Sequence, residues 1–364
     1  MRYFVTLVLV VFFVFLNPII GQAKPSVSAQ NAILMEQNSG RILFEKNPHQ
    51  QQPIASITKI MTAIVAIESG KWDEEVTVSE RAVYTEGSSI YLEEGEKMSL
   101  GDLVYGLMLR SGNDAAVAIS EHIGGSVEGF VYLMNEKAKW IGMDNTNFVN
   151  PHGLHDDNHY STAYDMAVLM RYAMENDIFR KVTETTSYKS DKRAYAWQNK
   201  NKLLTSLYEY CIGGKTGFTR AAGRTLVSAA HKEDMDLIAV TLNDRNDWQD
   251  HINMFEWGYD TYNLEDLMEE GSVTYETKTG EEITGYLHEA LRFPLSDVEK
   301  DSIDRQTFLL EEINESEDVI GKSIFYLNDK PIAETSIFSK KHPNQEKGFF
   351  STVLSLFKQI IRVG

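Results

Sequence analysis

The sequence predicts an α+β fold: a helical cluster packed on an antiparallel sheet, then a small β-rich domain, then a terminal amphipathic helix. Three observations predict it. Apolar runs at 32–35 and 41–44, separated by Asn38-Ser39-Gly40, read as a hairpin, and two more strand-like runs follow much later at 225–229 and 237–242. Between these strands, 57–67, 103–109, 114–123, 127–140 and 164–174 read as helices, so the sheet joins both ends of one domain. Near residue 262 the character changes, because 262–339 hold nineteen acidic and six basic side chains, a balance of −13. There Val273-Thr274-Tyr275-Glu276-Thr277-Lys278 alternates and 324–327 run into Asn328-Asp329 like a second hairpin, which favours a β-domain over an acidic linker. The expected division is 1–23, 24–261, 262–343 and 344–364.

The two ends carry membrane signals. Residues 4–16 are apolar except Thr6, follow Arg2, and lead to Gly21-Gln22-Ala23, a small-x-small cleavage pattern. Residues 1–23 are therefore expected to be a signal peptide, with a mature chain from near Lys24. A retained anchor is the alternative, although thirteen residues fall short of the ~20 of a bilayer span. At the other end Phe350, Val353, Leu354, Phe357, Ile360 and Ile361 recur at helical spacing opposite Ser351, Ser355, Lys358, Gln359 and Arg362. With five Lys/Arg against Glu346 alone from Lys340 onward, 344–364 should lie on an anionic membrane surface rather than span it.

A net charge of −18 over 364 residues excludes the basic stripe of a nucleic-acid binder. Cys211 is the single cysteine, so no intramolecular disulfide is available, and it is expected to be a small buried hydrophobe. Metal-ligand spacing is absent and no cofactor is expected.

Three polar motifs stand in order: Ser56-Ile57-Thr58-Lys59, Ser111-Gly112-Asn113 and Lys215-Thr216-Gly217. Each alone is commonplace; together they make a serine acyl-transfer site. Ser56 and Lys59, three apart on a helix, point from one face, so the amine can take the hydroxyl's proton. Ile57, Ile60, Met61, Ile64, Val65 and Ile67 surround that amine with apolar side chains, and burial lowers its pKa toward the range of a base.

The motifs, with Ile54-Ala55 before the first, Leu103-Val104-Tyr105-Gly106-Leu107-Met108-Leu109-Arg110 before the second, His159-Tyr160-Ser161-Thr162-Ala163-Tyr164-Asp165 and Gly213-Gly214 before the third, carry a resemblance. The chain resembles the D-alanyl-D-alanine carboxypeptidases, low-molecular-weight penicillin-binding proteins, most of all the sporulation type of spore-forming bacilli. Gly112 stands where the Ser-Asp-Asn motif of penicillin-binding proteins and class A β-lactamases has aspartate. The resemblance implies a penicillin-binding, serine β-lactamase-like catalytic domain that removes the terminal D-alanine from peptidoglycan stem pentapeptides, with β-lactams as covalent inhibitors and a C-terminal membrane anchor. In that chemistry Ser56 is the nucleophile, Lys59 the base and Ser111 the proton relay. Asn113 holds the substrate amide and the Lys59 amine, and Lys215 and Thr216 bind the substrate carboxylate. Gly217 admits the substrate backbone, and the N–H of Phe218, by family position, joins that of Ser56 in the oxyanion hole. The expected location is outside the cell, peripheral on the outer face of the cytoplasmic or forespore membrane, or secreted.

Arg245 could not be assigned to the carboxylate, and His152, His159 and Asp165 are expected to be structural. Rival readings are a β-lactamase, disfavoured by Gly112, the β-domain and the tail; a wall-binding scaffold, which has no need of a buried amine; and an esterase or glutaminase of shared fold.

Overall fold

A computed structural model describes residues 23–276, 280, 282–310 and 318–340. The expected amphipathic tail and, apart from Ala23, the expected export signal lie outside the described residues. No helix among those described is long and apolar enough to cross a membrane. The chain divides between Thr261 and Tyr262 into two units.

The first unit is built on a five-stranded antiparallel sheet of β1 (Asn31–Glu36), β2 (Ile42–Lys46), β3 (Cys211–Thr219), β4 (Gly223–Lys232) and β5 (Met235–Leu242), in spatial order β2-β1-β5-β4-β3. The first hairpin thus pairs through β1 with the last strand, β5, as the apolar runs predict. Both faces are covered, and the period of two shows which residue goes where. Ile33, Met35, Val227, Ala229, Ile238, Val240 and Leu242 enter the large core shared with the helices. Leu34 and Leu237 point the other way, against Gly258.

The helices on the first face are α1 (Lys59–Glu68), α2 (Leu100–Arg110), α3 (Asn113–Gly124), α4 (Val127–Trp140), α5 (Ala163–Met174) and α6 (Asp177–Glu184). Caps set their starts: Ser99 accepts from the Asp102 N–H at 3.1 Å and Thr162 from the Asp165 N–H at 3.0 Å. Helix α1 is apolar nearly all round and every residue from Lys59 to Ile67 is buried, as expected of a core helix. Asp165 accepts from the Asn145 N–H and Thr146 Oγ1, a structural tie between the start of α5 and the preceding loop.

The sequence reading missed α7 (Asp247–Thr261), on the other face of the sheet. Its buried side is Asp247, Asp250, His251, Met254, Phe255 and Gly258, half of it polar, so no apolar period announces it. His251 fastens it: Nδ1 lies 2.6 Å from Ser228 Oγ on β4 and Nε2 3.1 Å from Thr241 Oγ1 on β5.

The second unit holds a sheet of β7 (Gly271–Glu276), β8 (Glu282–Leu287), β10 (Ile303–Leu309), β11 (Val319–Leu327) and β12 (Lys330–Phe338), ordered β7-β8-β12-β11-β10. Beside it β6 (Asn263–Met268) pairs with β9 (Leu291–Leu295). Tyr275, Leu287, Phe325 and Ile337 are in its core. Asn328 and Asp329, at φ 51° and 63°, make the two-residue turn that the sequence indicated between β11 and β12.

Burial lowers the His251 pKa from 6.5 to about 3, so the folded protein keeps this ring neutral where the unfolded chain protonates it. Its contribution to stability is complete above pH ~6.5 and is lost as pH falls from there toward 3. Urea unfolding against pH should therefore show a slope of up to about 1.4 kcal/mol per pH unit from this group, and the slope should be shallower in His251→Asn. An unchanged slope would refute the neutral buried ring.

Candidate active site

The nucleophile motif departs from the expected helix. Ala55–Thr58 form a 3₁₀ turn and α1 begins at Lys59. In a 3₁₀ turn residues i and i+3 eclipse, which lines Ser56 up with Lys59 more closely than an α-turn does. Ala55 sits at φ 52°, a left-handed conformation that costs a residue with a Cβ roughly 1–2 kcal/mol. Such strain persists only where the surroundings over-determine it.

Lys59 Nζ lies 3.1 Å from Ser56 Oγ, 2.7 Å from Asn113 Oδ1 and 2.5 Å from the carbonyl oxygen of His152. The side chain is fully buried. Its pKa is driven well below the ordinary value by burial first, then by the charges of Lys215 and Lys200. A neutral amine has two hydrogens and one lone pair. Two of its three neighbours, an amide oxygen and a peptide carbonyl, can only accept, so both hydrogens are committed to them. The lone pair is left for the Ser56 hydroxyl, the arrangement a general base needs.

Asn113 is oriented by its own contacts. Its Nδ2 donates to Glu86 O at 2.6 Å and its N–H to Ser88 O at 2.7 Å, which turns Oδ1 toward Lys59. The neighbouring Asp114 carboxylate accepts from Ser89 Oγ and the N–H groups of Ile90 and Leu92, clamping the loop that supplies those carbonyls. This also accounts for Gly112. A Cβ there would stand 2.8 Å from Asp114 Oδ1 and 3.1 Å from Ile90 Cγ2, so the clamp leaves little room for a side chain at this position. Ser111 ends α2 in the left-handed region at φ 63°, and the chain doubles back to start α3 at Asn113. Ser111 is buried, two residues from the Asn113 amide.

Lys215, Thr216 and Gly217 lie on β3, the sheet's free edge beside the nucleophile turn. Thr225 Oγ1 on β4 donates to Ile54 O at 2.9 Å and ties sheet to turn. A Cβ on Gly217 would lie 2.9 Å from the Ser56 nitrogen and 3.1 Å from that of Ile57, so only glycine lets the strand pass the N–H of Ser56 this closely. Lys215 is 2 % exposed, donates to Thr216 O at 2.7 Å, and is lowered to about 7 by burial and by Lys200. Thr216 is half-buried and Phe218 is 66 % exposed at the outer end of the motif.

The fold therefore brings Ser56, Lys59 and Asn113 into direct contact and sets Gly217 on the Ser56 N–H. Ser111 joins through the chain and Lys215 through its charge. Arg245 is exposed, and the arginine opposite Phe218 is instead Arg224 on β4, paired with Asp247. Cys211 is buried with its thiol pushed up to about 11, unsuited to a nucleophile. The sequence reading missed the His152 carbonyl, the loop carbonyls that hold Asn113, and Lys200. The first two are backbone groups, which no side-chain motif reveals.

The chain matches the family described as D-alanyl-D-alanine carboxypeptidase, peptidase S11, over residues 20–246. D-alanyl-D-alanine carboxypeptidase DacF of Bacillus subtilis is 40 % identical over 221 residues, which cover 58 % of this chain and 56 % of that relative. DacA of Haemophilus influenzae is 33 % identical over 344 residues, 87 % of this chain and 86 % of that one. The structure of penicillin binding protein 5 from Haemophilus influenzae superposes with a TM-score of 0.75 at 30 % identity, covering 88 % of this chain and 99 % of its own. The Streptomyces K15 DD-transpeptidase superposes with a TM-score of 0.62 at 31 % identity, covering 65 % of this chain and 99 % of its own. The order of three motifs, their assembly between a sheet edge and a helical cluster, and these matches agree: the chain belongs to the D-alanyl-D-alanine carboxypeptidase family.

Proposed function

We propose that the protein is a serine-type carboxypeptidase that removes the terminal D-alanine from peptidoglycan pentapeptides ending in D-Ala-D-Ala, limiting cross-linking. The observation that carries this reading is the Lys59 amine, buried, depressed in pKa and 3.1 Å from Ser56 Oγ. Ser56 Oγ attacks the carbonyl between the two D-alanines as Lys59 takes its proton. The oxyanion forms against the N–H groups of Ser56 and Phe218. Collapse breaks the C–N bond, with the proton delivered through Ser111 to the departing amine, and leaves an acyl-enzyme on Ser56. Water then attacks the ester, with Lys59 again the base, and restores the hydroxyl.

Lys215 and Thr216 receive the substrate's free carboxylate. Burial and the charge of Lys200 lower the Lys215 pKa to about 7. A bound carboxylate raises its pKa again and restores the positive charge, and that charge in turn disfavours a proton on Lys59. The same site would react with penicillin, whose opened ring stays tethered to the acyl-enzyme and blocks it.

The export-like 1–23 and the amphipathic, basic 344–364 support a mature enzyme held on the outer face of the cytoplasmic or forespore membrane. The resemblance to sporulation-type enzymes, together with 40 % identity to the Bacillus subtilis relative, supports a role in spore cortex or wall maturation.

Ser56→Ala should abolish both D-alanine release from a D-Ala-D-Ala pentapeptide and covalent labelling by penicillin, since one oxygen begins both reactions. Lys59→Ala should fold normally and acylate about 10²-fold or more slowly, the scale of a positioned base. Release by wild type that penicillin does not block, or labelling that survives loss of Ser56, would overturn the assignment.

Deleting 344–364 should move the mature protein from the membrane to the soluble fraction without changing activity on a soluble peptide. A full-length protein found free of membranes would refute the anchor.

A further inference from the structure

The carbonyl before the nucleophile has its own support, and neither residue that provides it belongs to the reacting set. Thr58 Oγ1 donates to Ala55 O at 2.8 Å and lies 2.8 Å from His159 Nε2. The other ring nitrogen, Nδ1, accepts from the Val149 N–H at 3.1 Å. An imidazole that accepts at Nδ1 carries its hydrogen at Nε2, so the direction is fixed from end to end: Val149 N–H to His159, His159 to Thr58, Thr58 to Ala55 O. Thr58 is fully buried and His159 3 % exposed, so no solvent competes for these bonds. Burial also lowers the His159 pKa to about 4, which keeps this tautomer through the neutral range.

The peptide at the end of that chain is closely approached by two glycines. A Cβ on Gly153 would fall 1.9 Å from Ala55 O and 3.0 Å from the Ser56 nitrogen, while one on Gly217 would fall 2.9 Å from the same nitrogen. Two glycines thus pass close to the Ala55–Ser56 peptide, with a left-handed residue on its carbonyl side. Its N–H is the one placed for the oxyanion. A hydrogen bond accepted by a peptide oxygen draws charge toward that oxygen and makes the N–H of the same peptide a stronger donor. A donor that is already aimed needs no reorganisation when negative charge develops.

We propose that Thr58 and His159 are positioning residues for acyl transfer, acting through Ala55 O to aim and polarise the Ser56 N–H toward the oxyanion. The proposal rests on the acyl-transfer reading of Ser56 and adds two residues outside its reacting set. Neither touches substrate.

Thr58→Val keeps the side-chain volume and removes only the hydroxyl, so the test is stopped-flow acylation by a chromogenic β-lactam together with kcat and KM on the D-Ala-D-Ala peptide. Wild type acylates. In Thr58→Val the acylation rate constant and kcat should fall at least about tenfold, below the cost of deleting an oxyanion donor outright, with KM within about twofold. Thr58→Ser should recover most of the rate because it restores the donor. The double variant Thr58→Val with His159→Gln should be no slower than Thr58→Val alone, since both act through one chain of bonds. Acylation of Thr58→Val at the wild-type rate, additive losses in the double variant, or failure of Thr58→Ser to recover would overturn the proposal while leaving the Ser56 mechanism standing. A wild-type protein that is not acylated would overturn both.

Discussion

Everything in the catalytic unit turns on one amine kept out of water. An ammonium buried without a counterion costs several kcal/mol after relaxation, and no carboxylate is among its hydrogen-bond partners. The structure resolves the conflict by lowering the amine's proton affinity rather than by pairing it, with Lys215 and Lys200 adding to the effect of burial. What elsewhere would be a folding liability is here an amine suited to serve as a base. The dry amine lies on α1, a helix buried in the core, and its neighbours are one backbone carbonyl, one amide and the Ser56 hydroxyl.

The sheet edge supplies the rest. Strand β3 is the last strand of its sheet, beside the nucleophile turn, and Lys215 on it is buried. Gly217 sets the distance between strand and nucleophile, and Asn113 joins the helical layer to the amine. The three motifs come from different layers, so the site exists only when helices and sheet are assembled. Acylation therefore reports on the tertiary structure as well as on its own residues.

Much of this was legible in the chain. The motif residues carry side chains whose chemistry is explicit, and the buried helix of Lys59 is written in the isoleucines around it. Five of the six helices on the core face were legible within a few residues because their buried faces are apolar, whereas the short α6 was not read. Helix α7 was not, because Asp247, Asp250 and His251 make up half of its buried side. The 3₁₀ start at Ala55 was also hidden, since it depends on contacts from Gly153 and Gly217 that are remote in sequence. The carbonyls of His152, Glu86 and Ser88 were hidden for a deeper reason: a peptide oxygen has the same chemistry in every residue, and only the fold decides where it points. His159 was read as structural, and its two ring bonds could not be inferred from a lone histidine in a loop.

The most direct test of the account is the titration of Lys59 itself. The full chain carrying lysine labelled with ¹³C at the ε carbon can be followed by NMR against pH, with the Lys59 resonance assigned from its loss in Lys59→Arg. The account predicts an amine that titrates well below the ordinary value. A Lys59 resonance that titrates near the ordinary lysine value of about 10.4 would contradict it.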